Sequence, residues 1–339
     1  MNLTPPAQVR EPSAAVIAVI SALILLTSSA CQRNTAPTTR KVTIAQYGDV
    51  FLYAPIYIAK EAGFFAKRGL DVSLASTGGD DKTWAAVISG SASFGVADPT
   101  FVAISETRRQ PGRVIASIVN GVPFWGITLR QSIPPFKTPR DLDNYTVATF
   151  PSPSTAFTLQ RRMFLQAGLA PKIHEGAIGT LLAMLHTGQT DIALELEPNV
   201  SQAELEGAHI VYSMQEIYGD FAITGLTATP ELLARDPELA RNVVCGVQMA
   251  LDYARRQPDA SLKILQQRFP EVKPEIAKSA LSRLLEAGVI PRDAVLQKSA
   301  WDKAIALRTE VGDLKSAKAM SSYVDNQFSS WAQTNCHVQ

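Results

Sequence analysis

Residues 47–98 constrain the fold more than any other part of the chain, because helical and extended patterns alternate there at very short intervals. Across residues 54–72, Ile56, Ala59, Ala62 and Phe65 recur at helical spacing, and Gly63 and Gly69 break the pattern near its end. Residues 70–74 follow at once as a β-rich run. Further on, Trp84, Val87 and Ile88 predict a helix that stops at Ser89 and Gly90, and residues 94–97 read as a buried strand ending at Asp98. Residues 41–45 place one more strand in front, by alternation and β-branching. Strand, helix, strand, helix, strand in short connections predicts an α/β fold with a parallel-dominated sheet covered by helices. In such sheets ligands bind beyond the carboxyl ends of the strands.

The rest of the chain extends this scheme. Residues 99–106 predict a short helix, 114–119 a buried strand, and 124–130 an extended apolar run that crosses to a second lobe. That lobe repeats the first: a strand over 145–150, the loop 151–155, a helix through Phe157, Leu159, Met163 and Leu165 stopped by Gly168, then a short strand over 173–178. Residues 180–198 match 85–98 in kind, each an apolar helix, a glycine stop, a polar pair and a strand ending in an acid. This internal pseudo-repeat fits two similar lobes and is too short for a solenoid. Residues 209–213 add a strand, and 221–228 read as the return crossover. From Pro230 the chain is almost wholly helical, with a last helix expected over 320–331. The expected division is a first lobe from 41–127 and 222–339, carrying the C-terminal helices, and a second lobe from 128–221.

Composition narrows the function. With 339 residues, 46% hydrophobic and 19% charged, the chain can bury two substantial cores. A net charge of +1 without a basic block gives no nucleic-acid footprint. Four scattered histidines (His174, His186 and His209 among them) and three cysteines without CxxC or HxxxH spacing leave little for a zinc site. P-loop, GxSxG, HExxH and GxGxxG motifs are all missing from the sequence. Their absence weakens the enzyme reading without excluding it; the expectation is a protein that is not an enzyme and needs no cofactor. Cys245, inside an apolar helical run, reads most simply as a small buried hydrophobe.

At the N-terminus, residues 14–26 form an apolar run interrupted by Ser21, preceded by Arg10 and followed by Ser28, Ser29, Ala30 and Cys31. The run suits a signal-peptide core and is short for a membrane span of roughly 20 apolar residues. Residues 1–30 are expected to be a signal peptide and 31–40 a polar tether, so export is the expected fate. Small residues ahead of Cys31 resemble the bacterial lipoprotein signal, which implies lipid on Cys31; Ser28 departs from it, standing where a larger aliphatic residue is usual, and plain cleavage after Ala30 is the alternative. With Cys31 lipidated, Cys245 and Cys336 would remain as an even pair in an oxidising compartment, which leaves a disulfide between them open.

Residues 55–72, with their Ala-Gly-Phe-Phe centre, resemble the first-lobe signature of bacterial periplasmic solute-binding proteins for nitrate, sulfonate, taurine and thiamine-pyrimidine-precursor uptake. Residues 88–98 resemble the group's next signature, in which an acid often replaces Ser93, and Glu197-Pro198 falls where many relatives carry Glu-Pro. The resemblance covers about residues 41–230 and implies a two-lobe periplasmic-binding-protein fold of type II with a helical C-terminal extension. It implies a monomer that hands a small solute to an ABC-type permease in the inner membrane. Two alternatives stay open: an enzyme on the same fold in pyrimidine-precursor synthesis, or a sensing module read by a membrane partner.

Physics places the binding residues on strand-end loops. Ser152, Ser154 and Thr155 put hydroxyls and backbone N–H groups at a helix start, where either a solute or the helix's own cap could use them. Tyr47, Phe51 and Tyr53 are candidates for one cleft wall and Phe124 or Trp125 for the other. Asp98 could accept from a solute N–H or cap the next helix; Glu195 or Glu197 could bind likewise or pair with a cation. The expected solute is a nitrogen heterocycle such as a pyrimidine, ranked slightly above an alkyl sulfonate or nitrate-like anion. Trp84, on an apolar helix face, is expected in the core.

Overall fold

The computed structural model describes residues 39–152 and 154–338, together with Met1 and Leu3. The expected signal peptide other than Met1 and Leu3, most of the tether and Cys31 lie outside the described residues.

The first lobe begins with β1 (Arg40–Gln46), α1 (Ala54–Glu61), β2 (Leu70–Ser76), α2 (Asp80–Ile88), β3 (Phe94–Ala97), α3 (Phe101–Glu106) and β4 (Arg113–Asn120). Pro55 sits in the first turn of α1, where its missing N–H costs nothing. Gly69 takes the left-handed conformation, φ 71°, that returns the chain into β2. β1 lies parallel between β2 and β3, so the turns after β1 and β3 open at the same edge. Trp84 is buried as expected and donates its indole N–H to Ser105 at 2.7 Å.

The chain leaves this sheet over residues 121–124. Gly121 has φ 111°, and a Cβ there would stand 2.3 Å from the Gln215 side chain, which accepts from the Val122 N–H. Next come β5 (Trp125–Thr128), β6 (Val147–Thr149), α4 (Thr155–Gln166), β7 (Ile173–Glu175), α5 (Leu181–His186), β8 (Ile192–Glu195), α6 (Asn199–Leu205), β9 (His209–Ser213) and α7 (Met214–Tyr218). The chain then returns through β10 (Ala222–Ala228). The two five-stranded sheets run β2-β1-β3-β10-β4 and β7-β6-β8-β5-β9. Each has a single antiparallel strand, β10 or β5, inserted between the third and fourth strands of an otherwise parallel set. The internal repeat thus appears in the strand order itself. Trp125, expected at the end of the first lobe, instead pairs with Glu195 on one side and Ser213 on the other. The passage between sheets therefore falls before Trp125, because the apolar run 124–130 is itself a central strand of the second sheet.

The remainder is α8 (Pro230–Arg235), α9 (Pro237–Arg256), α10 (Pro258–Arg268), α11 (Pro274–Glu286), α12 (Lys298–Glu310) and α13 (Gln327–Asn335). Asp236 caps α9, accepting from the Leu239 N–H at 3.0 Å, and Val243, Val247, Leu251 and Ala254 bury one face of the helix. Gly246 lets the Phe65 ring pack against the α9 backbone, since a Cβ would lie 2.5 Å from it. A continuous last helix over 320–331 does not form. Tyr323 and Asp325 instead exchange backbone hydrogen bonds with Val114, closing the edge of β4, and α13 begins only at Gln327. Cys245 and Cys336 are joined in a disulfide with Cα atoms 5.4 Å apart, so Cys245 is more than a small buried hydrophobe. The C-terminal helices, expected with the first lobe, also grip the second. Arg283 of α11 pairs with Glu197 at 2.6 Å and with Glu204, and Glu310 of α12 meets Arg162 at 3.1 Å.

Candidate functional site

A cavity of about 90 Å³ lies between the lobes, where the carboxyl ends of both sets of parallel strands converge. Tyr47, Val50, Leu52 and Tyr53 enter it from the segment after β1, Asp80 from the start of α2, Asp98 from beyond β3, and Ile223 and Thr224 from β10. The second lobe contributes Phe150 after β6, Ser154, Thr155 and Ala156 at the start of α4, Ile178, and Leu196 after β8. Phe124, on the crossing segment, closes one end with its ring 6.1 Å from that of Phe150.

Six of the residues expected from the sequence meet here: Tyr47, Tyr53, Asp98, Phe124, Ser154 and Thr155. Ser154 is also the cap of α4, its hydroxyl accepting from the Phe157 N–H at 3.2 Å. Four others lie elsewhere. Phe51 is in the core, 5.5 Å from the Phe269 ring, because it starts the short turn leading into α1 and faces α10. Trp125 is buried in the second sheet, with the Arg283 guanidinium 5.8 Å from its ring. Ser152 is exposed and uses its backbone N–H to bind Glu175 at 2.9 Å. Glu195 is buried one residue before Leu196; burial pushes its carboxyl up to about 7, against hydrogen bonds from the Leu196 backbone and Asn199. Glu197, its alternative, is likewise buried and holds Arg283 and Ser201.

Charge in the cleft is organised by a residue that the sequence left unmarked. Arg308, 2% exposed on α12, sends Nη2 to Asp98 Oδ2 at 2.6 Å and Nη1 to Asp313 at 2.9 Å. The Thr155 hydroxyl donates to the same Asp98 oxygen at 2.7 Å, joining the second lobe to the first. The other Asp98 oxygen accepts from the Thr100 N–H at 2.8 Å and hydroxyl at 2.6 Å. Asp98 thus caps the turn into α3, one of its two expected roles, while also bridging the lobes. Arg308 stands 210 residues from Asp98, and a lone arginine in a helix carries no local signal of such a partner.

Asp80 is the second addition. It opens α2 directly after Gly79, and the helix has no side-chain cap. Its Oδ1 accepts from the Asp98 N–H at 3.0 Å. Burial, and then the neighbouring Asp98 charge, raise its carboxyl to about 7. The Tyr47 hydroxyl is also raised, by burial and then by Asp80 and Asp81. The Tyr53 hydroxyl is raised further, by burial and then by Asp80 and Tyr57, opposed by a hydrogen bond with Thr224.

A larger groove of about 400 Å³ runs beside β9, lined by Phe136, Lys137, Tyr212, Glu216 and Arg283 among others. It lies off the convergence of strand ends and gathers none of the cavity's acids. Among the described residues no group of His, Cys, Asp and Glu is arranged to hold a metal ion, and no helix is long and apolar enough to cross a membrane.

Two sheets of this order, flanking a cleft at their strand ends, define the two-lobe periplasmic-binding-protein fold of type II. Residues 51–261 match the family described as NMT1/THI5 like, and the chain belongs to that family. A candidate binding protein of Bacillus subtilis strain 168, YtlA, is 20% identical over 305 residues, covering 87% of this chain and 90% of its own. The periplasmic aliphatic sulphonate binding protein SsuA of Escherichia coli superposes with a TM-score of 0.67 at 16% identity, covering 85% of this chain and 92% of that one. The periplasmic nitrate-binding protein NrtA of Synechocystis PCC 6803 gives 0.66 at 15% identity, over 87% and 89%.

Proposed function

We propose that the protein is an exported substrate-binding protein, without chemistry of its own, that captures a small solute between its lobes and delivers it to an ABC-type permease. The observation that carries this reading is the cavity itself: both lobes line it at their strand ends, and Thr155 reaches across it to Asp98. Phe124, Phe150, Tyr47 and Tyr53 offer apolar and aromatic surface for a flat ring, while Thr224 and Asp80 offer polar contact. Among the described residues no histidine or cysteine lines the cavity, so the histidine- and cysteine-rich cluster expected of a pyrimidine-precursor synthase does not support the enzyme reading there. SsuA and NrtA bind anions by name, yet among the described residues no lysine or arginine lines this cavity, and Arg308 nearby is engaged by two acids. A nitrogen heterocycle such as a pyrimidine therefore ranks above an alkyl sulfonate or nitrate.

The expected place of work is the periplasm or cell envelope, with Cys31 lipidated and holding the protein on the membrane. Cys31→Ser should then move the protein from the membrane to the soluble fraction; equal membrane retention would remove the anchor. The solute is tested by a thermal-shift screen of sulfonates, nitrate and pyrimidines, because tight binding to the native state raises the melting temperature. A hit should be lost in Ile223→Trp, which fills the cavity; a hit that survives would place the solute elsewhere.

A further inference from the structure

Building on that reading of the cleft, we propose that Asp80 sets its selectivity, and that it selects a solute whose ring carries a cationic nitrogen, such as an amidinium or a protonated aminoheterocycle, over sulfonate or nitrate. Two acids line the cavity, and they differ in what they can still bind. Asp98 is committed, with Thr100 on one oxygen and Thr155 and Arg308 on the other. Asp80 gives only Oδ1 to the Asp98 N–H. Its Oδ2 has no hydrogen-bond partner among the described residues, and Asp80 is part of the cavity wall.

The Arg308 charge lowers the Asp80 carboxyl, but less than burial and Asp98 raise it, and its ion pairs go elsewhere. Arg308 is shared between Asp98 and Asp313. Asp81 on α2 and Asp98 beyond β3 add negative charge around Asp80, and Tyr47 and Tyr53 face it with neutral hydroxyls. The start of α4, an anion site in principle, already spends the Phe157 N–H on the Ser154 hydroxyl. An anion entering would meet an acid and no free cation. A cationic ring would meet a carboxylate and aromatic faces, which also attract cations.

Burial and the neighbouring Asp98 charge raise the Asp80 carboxyl to about 7, so near neutral pH a proton competes with a cationic solute for it. A cationic solute would displace whatever proton the carboxyl still holds. Affinity should accordingly rise as pH passes through the neutral range, by about tenfold between pH 6 and 8, as the ionised fraction of such a group climbs from about a tenth to nine-tenths.

The experiment uses benzamidine and benzenesulfonate, one ring with opposite charge, titrated calorimetrically into the wild type, Asp80→Asn and Ile223→Trp at pH 6 and 8. Benzamidine is expected to bind the wild type more tightly than benzenesulfonate, and more tightly at pH 8. Asp80→Asn should weaken it at least tenfold at pH 8 and flatten the pH dependence. Benzamidine binding that is lost in Ile223→Trp but unchanged in Asp80→Asn overturns the role of Asp80 and leaves the cleft standing. Binding that survives Ile223→Trp overturns the cleft itself, with Ile178→Trp on the exposed rim replacing that variant if it fails to fold. Tighter binding of the sulfonate, or no benzamidine binding by the wild type at millimolar concentration, overturns the cationic selectivity.

Discussion

Glu195 shows how an acid at a strand end can matter without touching a solute. It is buried, its Oε1 lacks a hydrogen-bond partner, and its carboxyl is raised to about 7 by burial. The native state therefore keeps this proton over a range where the unfolded chain, titrating near 4.3, has already lost it. More protons bound by the native state means that stability falls as pH rises from about 4.3 through 7. Glu195→Gln cannot titrate, so it should melt like the wild type near pH 4 and above it at pH 8. Equal melting temperatures at both values would show that Glu195 is not held protonated. The sequence marks acids at strand ends well, and Asp98 and Glu195 are both there. It does not reveal which are neutralised, because the deciding partners, Arg308 for Asp98 and the apolar surroundings for Glu195, come from distant parts of the chain. Phe51 and Trp125 fail as cleft residues for a related reason: aromatic composition near a strand end does not say which face a ring takes.

At the scale of elements, periodicity and glycine stops carry most of the information. β3 and β9 coincide with their expected bounds, and the helices from Pro237 to Glu286 begin at prolines that the sequence displays. What is lost is pairing that depends on long separation. The run 320–331 has helical composition, but an open β4 edge draws Tyr323 and Asp325 into backbone pairing. The small α6 and α7 also escape notice, being shorter than a periodic pattern needs. Cys245 on α9 and Cys336 just past α13 belong to the same class of hidden pairing. Their disulfide closes a loop spanning 91 residues and ties the last helix to the longest. Removing such a crosslink frees the unfolded chain, so Cys336→Ala is expected to cost about 2–4 kcal/mol. Denaturant unfolding with and without dithiothreitol reads this directly; superimposable curves for the wild type would show that the bond does not form in solution.

For the whole molecule, the strand order explains why a cleft exists and how it could close. Each lobe donates its antiparallel strand at a crossing, so the lobes are joined by two short segments, 121–124 and 219–221, beside the cavity. Such paired crossings permit hinge motion with little change inside either sheet. Two further ties bear on it. Thr155, Asp98 and Arg308 link the lobes at the cavity, whereas Arg283 with Glu197 and Glu204, and Arg162 with Glu310, fasten α11 and α12 to the second lobe outside it. The first tie breaks if the cleft opens, so it favours the closed form; the outer pairs limit how far opening can go. Thr155→Val keeps the shape of the side chain and removes the hydroxyl that reaches Asp98, and it leaves the outer pairs untouched. The variant should therefore shift the solute-free population toward the open form, seen as a larger radius of gyration by small-angle scattering than in the wild type. A bound solute supplies contacts to both walls, so a saturating cleft ligand should bring the two curves together. If Thr155→Val scatters like the wild type without ligand, the α11 and α12 ion pairs, not the cavity contact, hold the lobes together. Arg283→Ala is then the variant in which opening should appear.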